Sequence, residues 1–296
     1  MKIERFDKGD IDDSLLVKVV EMGHLVEVQY VHKRNSTMPI TVLSKDNYIE
    51  NSTGEIKEFV HSDNRSQQIE SLRRTFKNLR YLINNNFFGN ANELFLTLTY
   101  AENMQDDKKL YNDLKMFMRK IKRKFKYTTV DYINVVEPQA RGAWHCHLLL
   151  RFNDLDTVYI PKDWLSKAWG HGFVDIQSVD GVDNIGAYLS AYLSDIDIED
   201  VGCCRGGESL NLIKDESGNV KKAYIKGGRL SYYPPGMNIY RCSKGIKKPT
   251  EKFMTHSDIK KIVGSAKPHY STKYVISDND KVVNTVIYNQ YNLKRQ

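Results

Sequence analysis

The sequence has few cysteines and lacks any long apolar run. Only four cysteines occur in 296 residues, and none forms a Cys-x-x-Cys pair, so a zinc ribbon is not expected. Cys203 and Cys204 are adjacent and poorly placed to bridge each other, and we expect all four cysteines to be reduced thiols. No apolar stretch reaches bilayer-spanning length, and residues 1–7 lack a signal-peptide pattern. These absences predict a soluble, cytoplasmic protein without a membrane partner.

Acidic residues are outnumbered by basic ones. The chain carries 44 Lys and Arg against 37 Asp and Glu, with a net charge of +7, which favours a polyanionic partner. Nine Lys or Arg but only one Asp lie between Lys108 and Lys126. This stretch has two interpretations, a surface that follows DNA phosphates or an ordinary solvated basic face. No Gly-x-x-x-x-Gly-Lys-Ser/Thr loop occurs, so we expect neither a P-loop helicase nor a nucleotide cofactor.

Apolar spacing predicts an α+β protein with a central antiparallel β-sheet and helices packed on it. The middle of the chain follows the order β–α–β–β–α–β–α, flanked by smaller β-rich regions. Its elements are predicted as a strand at 93–100, a helix at 106–125, strands at 132–136 and 145–152, a helix at 161–169, a strand at 173–179 and a helix at 184–193. We divide the chain into residues 1–62, 63–200 and 201–296.

The segment from Gly142 to Leu150 contains the most informative motif. In a β-strand His145 and His147 point to one face, while Cys146 points to the other and is expected to pack in the core. A tight hairpin brings Glu137, at the end of the preceding strand, within reach of both imidazoles. Each residue alone is more commonly structural. Together they form a candidate site for Mg²⁺ or Mn²⁺, and the same set suits Zn²⁺ or Co²⁺.

Two further features carry candidate chemistry. Tyr188 and Tyr192 are four residues apart on a predicted helix and therefore share a face. A tyrosine phenolate can attack phosphorus and form a covalent phosphodiester, although two tyrosines that pack a helix on a sheet are the commoner case. Thr97 and Thr99 share one face of a strand, where they line the site or contact phosphate if the strand borders it.

In this order, the three elements resemble the HUH endonuclease superfamily, in particular rolling-circle replication initiators of small plasmids, filamentous-type phages and integrative elements. The resemblance covers residues 93–195: an apolar-Thr-Leu-Thr strand, the His-hydrophobe-His strand and a helix with two tyrosines. It implies an HUH or RRM-like palm, a nicking and joining activity on single-stranded origin DNA, and a 5′-phosphotyrosine intermediate. It assigns Tyr192 and Tyr188 as nucleophiles, and Glu137, His145 and His147 as metal ligands.

The resemblance is incomplete at the tyrosine helix. Many relatives carry a lysine three residues after each tyrosine, whereas Ala191 and Asp195 stand there in this chain. Tyr192 takes precedence over Tyr188, because some single-tyrosine relatives keep only the second position. A host helicase and a host DNA polymerase are implied as partners. Two alternatives stay open: another HUH enzyme, either a conjugative relaxase or a single-strand transposase, and a non-catalytic DNA-binding repressor in which the histidines are structural.

Cations and aromatic residues define the predicted DNA-binding set. Residues 227–246 interleave arginines and tyrosines, a composition that stacks on unpaired bases, although a packed hairpin with a basic edge explains it equally well. The predicted DNA contacts are Thr97, Thr99, Lys115, Arg119, Lys122, Arg123, Arg141, Arg229 and Arg241.

Overall fold

The structure is a computed structural model that describes residues 2–34, 38–59, 69–138, 143–187, 189, 196–197, 210–214, 220–225, 233 and 237–295. The helices are α1 (Ile69–Asn86), α2 (Asp107–Lys124), α3 (Lys162–Trp169) and α4 (His256–Val263), followed by a 3₁₀ turn at Leu293–Arg295. The first strands are β1 (Lys2–Phe6), β2 (Leu16–Met22), β3 (Leu25–Val31), β4 (Ile40–Val42), β5 (Asn47–Glu50), β6 (Ile56–Glu58), β7 (Glu93–Thr99), β8 (Val130–Pro138), β9 (Trp144–Phe152) and β10 (Val174–Ser178). The later strands are β11 (Ile196–Asp197), β12 (Leu210–Lys214), β13 (Val220–Ile225), β14 (Tyr240–Cys242), β15 (Thr250–Thr255), β16 (Pro268–Asp278) and β17 (Lys281–Asn292).

Contacts between Cα atoms divide the chain into two compact units that differ from the three regions expected from the sequence. One unit combines residues 1–63 with residues 249–296, and the other comprises residues 64–248. The physical reason is strand pairing across the whole chain, since β1 pairs with β16, β15 with β2 and β17 with β3. Local sequence patterns predict strands but not which distant strands pair.

The discontinuous unit is built on a six-stranded antiparallel sheet in the order β1-β16-β17-β3-β2-β15. The β16–β17 hairpin turns at Asn279 and Asp280, both with positive φ, as the Asp-Asn-Asp sequence predicts. Val17, Val19, Val26 and Val28 form its core with Ile259 of α4. A small three-stranded sheet, β4-β5-β6, belongs to the same unit.

The continuous unit contains the predicted central sheet. Its five strands are all antiparallel to their neighbours and lie in the order β10-β7-β9-β8-β14. The connections β7-α2-β8 and β9-α3-β10 join parallel strands across one intervening strand, which is the split βαβ arrangement of ferredoxin-like domains. This confirms the predicted α+β class. The short strands β11, β13 and β12 form a separate antiparallel sheet.

Helices α2 and α3 cover one face of the central sheet. Asp106 caps α2 by accepting from the backbone N–H groups of Lys108 and Lys109, and basic residues fill the last turn. The buried positions of α2 recur at helical spacing, namely Leu110, Leu114, Phe117, Met118 and Ile121. Phe125, at the end of α2, contacts the Phe152 ring of β9, with ring centroids 4.7 Å apart.

Helix α1 ends on the opposite face, where the backbone carbonyl of Asn86 accepts a hydrogen bond from Arg151. Arg151 has the same parity on β9 as His145 and His147, so α1 and the two histidines share a face. Arg151 also pairs with Asp131 at 3.1 Å. None of the helices in the described part of the chain is both long and apolar enough to cross a bilayer.

Candidate active site

Strand register gathers five of the predicted site residues on one face. His147 pairs with Thr97 on β7 and with Val135 on β8, while His145 pairs with Thr99 and with Glu137. Directly paired residues of antiparallel strands project to the same side. The central position of β9, between β7 and β8, therefore places both threonines, both histidines and Glu137 together.

His147 lies between a hydroxyl and a carboxylate. Its Nδ1 is 3.2 Å from the Thr97 hydroxyl oxygen, and its Nε2 contacts the Glu137 carboxylate. Because a carboxylate only accepts, this arrangement assigns the ring proton to Nε2, and Nδ1 then accepts from the hydroxyl of Thr97. The Phe95 ring stacks on the imidazole, with centroids 5.5 Å apart and planes 9° apart. The orientation of His147 is thus fixed on three sides.

His145 and Glu137 complete the cluster. The two imidazole centroids are 6.4 Å apart at an interplanar angle of 77°. The side chain of Glu137 is 7% exposed and that of His147 is 11% exposed. Within the described ranges, no three His, Cys, Asp or Glu side chains are arranged as a complete metal site. Glu137 and His147 instead contact each other directly.

The other face of β9 contains Cys146, which is fully buried, as its alternation with the histidines predicts. Burial raises the pKa of its thiol to about 12. A thiol this protonated is a poor metal ligand and a poor nucleophile at neutral pH. The structure therefore separates a packing cysteine from the two histidines that flank it in sequence.

The predicted tyrosine helix is described only at its start. Residues 185–187 and 189 are helical, and the Asn184 side chain accepts from the backbone N–H of Ala187 as an N-cap. Gly186 donates its N–H to Asn84 of α1 at 2.8 Å, and a Cβ at this position would lie 2.5 Å from that Asn84 oxygen. A glycine is therefore required where the helix begins. Tyr188 and Tyr192 lie outside the described residues.

The predicted DNA-binding residues fall into two groups. Thr97 and Thr99 lie on the face that carries Glu137 and the histidines. Lys115, Arg119 and Lys122 of α2 line a cavity of about 370 Å³ together with Arg241 of β14. A separate cavity of about 540 Å³ is lined by Lys120, Arg123, Lys124, Trp164, Lys167 and Ala168. Arg141 and Arg229 lie outside the described residues.

A polar cluster at the end of β7 was not predicted. Tyr100 donates its hydroxyl to Asp113 of α2 at 2.9 Å, and Lys109 donates to the same carboxylate oxygen at 3.1 Å. His171, interpreted from the sequence as a turn residue, lies 3.6 Å from the other oxygen of Asp113. Burial, and then the hydrogen bond to Asp113, raises the pKa of Tyr100 well above its usual range. Only the i, i+4 spacing of Lys109 and Asp113 offered a sequence signal.

Comparison with known proteins bears on the same segment. Residues 93–197 match the model of a family described as replication-associated protein ORF2. The matched segment begins at the first residue of β7 and includes β8, β9, α2, α3 and β10, together with both predicted tyrosines. No curated protein and no solved structure matches the chain. The family match is therefore to a replication-associated protein and is confined to the central part of the continuous unit.

Proposed function

We propose that the chain is a rolling-circle replication initiator of the HUH type, which nicks and rejoins single-stranded origin DNA by tyrosine transesterification. One observation carries the proposal: strand register places Thr97, Glu137, His145 and His147 on one face of the segment that matches a replication-associated family. Register cannot arise from local sequence preference alone, because it depends on three strands that pair correctly.

The side chains present fit a divalent metal. Glu137 and the Nε2 of His147 meet at one point, and His145 pairs directly across from Glu137. A carboxylate with two imidazoles would hold Mg²⁺ or Mn²⁺ and leave positions for water and substrate. When bound, such an ion supplies Lewis-acid polarisation of a phosphate oxygen.

Thr97 is well placed to orient His147 for this task. A ligating Nε2 must be unprotonated, so the ring proton moves to Nδ1, and the hydroxyl of Thr97 then accepts instead of donating. A hydroxyl can exchange these two roles, whereas a methyl group has neither. Thr97 is therefore a positioning residue for His147 in this proposal, in addition to its predicted contact with DNA.

Tyr192 or Tyr188 would be the nucleophile. The phenolic oxygen loses its proton and forms a bond to the scissile phosphorus, while the bond from phosphorus to the 3′ oxygen breaks and that oxygen takes up a proton. The products are a 5′-phosphotyrosine link and a free 3′-hydroxyl, and one phosphodiester replaces another. The step therefore runs in both directions without a nucleotide cofactor, and a host polymerase would extend the 3′ end while a host helicase unwinds the duplex.

The test is adduct formation on labelled single-stranded oligonucleotides tiled across the DNA that flanks the coding sequence. With Mn²⁺ present, one oligonucleotide should yield a covalent protein–DNA band, which EDTA or combined Tyr188→Phe and Tyr192→Phe should abolish. Tyr159→Phe is a matched control, because Tyr159 is 82% exposed and should not affect the reaction. An undiminished band in the double variant would refute the tyrosine assignment. Metal-independent binding without any covalent product would favour a DNA-binding repressor instead.

A further inference from the structure

The face of the central sheet that lies away from the histidines contains a second cavity with a distinct composition. It has a volume of about 370 Å³ and lies between α2, β8 and the edge strand β14. Asn134 is its sheet residue, and Asn134 pairs with Leu148, whereas the next residue, Val135, pairs with His147. Because neighbouring residues of a strand alternate between faces, the cavity and the candidate active site lie on opposite sides of the sheet.

Four cations line this cavity. Lys115, Arg119 and Lys122 recur at i, i+4 and i+7 on α2 and form a stripe along one side. All three are exposed, as is Arg241 on the other side. Among the described residues, none of the four forms an ion pair, and no carboxylate lines the cavity. Cations without local partners at a concave surface favour an anionic ligand.

Aromatic rings form the walls of the same cavity. The Arg241 guanidinium lies over the Tyr111 ring, with its central carbon 3.3 Å from the centroid. The Tyr111 hydroxyl donates to the backbone carbonyl of Asn238 at 2.6 Å, which fixes the ring. The Lys122 ammonium lies 5.9 Å from the centroid of the Tyr132 ring. Guanidinium and phenol planes held in this way are surfaces on which a nucleobase stacks.

Asn134 adds a buried polar group. It is 1% exposed, and its side-chain amide donates only a weak contact to the Cys146 sulfur at 4.0 Å. Within the part of the chain that the structure describes, its amide oxygen has no hydrogen-bond partner. A buried polar atom without a partner is costly for folding and is retained where a ligand satisfies it. The amide oxygen accepts, so it matches a base with an exocyclic amino group.

We propose that this cavity binds one unpaired nucleotide of a single-stranded DNA. Arg241, Tyr111 and Tyr132 would stack on the base, Asn134 would accept from its exocyclic amino group, and Lys115, Arg119 and Lys122 would hold the adjacent phosphates. The inference rests on the proposed function for its ligand and extends it to the opposite face of the sheet. An initiator with two such sites holds the strand at a position separate from the point of cleavage.

The test compares the affinity of the full-length protein for fluorescein-labelled 12-mers of deoxycytidine and of thymidine by anisotropy. Cytosine presents an amino group where thymine presents a carbonyl oxygen, so the deoxycytidine 12-mer should bind more tightly. Asn134→Leu should remove about a fivefold preference, the value of one hydrogen bond, and should leave the thermal midpoint unchanged or higher. Arg241→Gln and Lys122→Gln should each weaken both oligonucleotides and lower the salt slope by about 0.7.

Lys126→Gln is the control for charge. Lys126 is exposed just beyond α2 and does not line the cavity, so this variant removes the same charge without touching the site. The inference is overturned if all the cavity variants bind like Lys126→Gln, or if they weaken a 12-base-pair duplex as much as the single strands. If Asn134→Leu fails to fold, the two exposed cation variants still decide the outcome. Adduct formation is measured in parallel, because loss of the adduct with intact cavity binding would refute the proposed function and leave this inference standing.

Discussion

The hydroxyl of Thr97 should control the metal response of the protein. Thr97→Val keeps the shape and β-branching of the side chain but removes the only group that contacts Nδ1 of His147, at 3.2 Å, within the described residues. Without an acceptor at Nδ1, the imidazole loses the partner that favours the ligating tautomer. The loss of one hydrogen bond costs about 1 kcal/mol, and loss of a partner of a metal ligand typically weakens metal affinity by 10- to 100-fold. We therefore expect the Mn²⁺ concentration for half-maximal adduct formation to rise about tenfold, equivalent to about 1.4 kcal/mol.

The assay is a Mn²⁺ titration of adduct yield at saturating oligonucleotide, alongside a thermal melt without metal. Thr97→Ser retains a hydroxyl and should restore most of the wild-type midpoint, which separates the hydrogen bond from the packing of the methyl group. Thr157→Val is the matched control, since Thr157 is exposed in a loop. A normal Mn²⁺ midpoint in Thr97→Val would refute the role of Thr97. An equal shift in the control would show that the titration reports general destabilisation.

Two further predictions concern the polar contacts beneath α1. Burial alone would raise the pKa of the Asp131 carboxyl, but hydrogen bonds from Asn153, Ser243 and Arg151 outweigh it and hold that pKa below its usual range. The stabilisation is present above the unfolded pKa of about 3.9 and is lost as pH falls through the lower folded value. Asp131→Asn should therefore cost about 2 kcal/mol at pH 7 and less at pH 3 in urea unfolding, with Asp156→Asn as an exposed control; a constant difference at both pH values would contradict this. Gly245→Ala should destabilise by about 1 to 3 kcal/mol in the same assay, because its Cβ would lie 2.1 Å from a carboxylate oxygen of Asp131, and an unchanged midpoint would refute this close approach.

Local pattern was sufficient for the elements that surround the candidate site. Alternation in residues 144–152 predicted which face carries the two histidines, and α4 begins and ends where helical spacing predicted. The turn from β8 to β9 was expected to bring Glu137 beside the histidines, and the observed register does so. These features depend on residues that are close in sequence, for which periodicity is a direct physical signal.

Features that depend on distant contacts were not predicted. Strands were expected at residues 222–233 and 237–242, but the structure has β13 at Val220–Ile225 and β14 at Tyr240–Cys242, and residues 226–232 and 234–236 lie outside the described part. Tyr240 pairs with Val135, more than a hundred residues earlier. That pairing places Arg241 beside α2, and no local pattern contains it. The stacking of Phe95 on His147 likewise follows only from the β7–β9 register.

The chemical identity of the protein–DNA link tests the central claim most directly. The adduct formed with Mn²⁺ would be digested with nuclease and protease, and the modified peptide would be sequenced by mass spectrometry. The proposed mechanism predicts a nucleotide joined through its 5′ phosphate to Tyr192 or Tyr188. A link to any other residue, or a cleaved strand with no covalent protein attached, would contradict the mechanism.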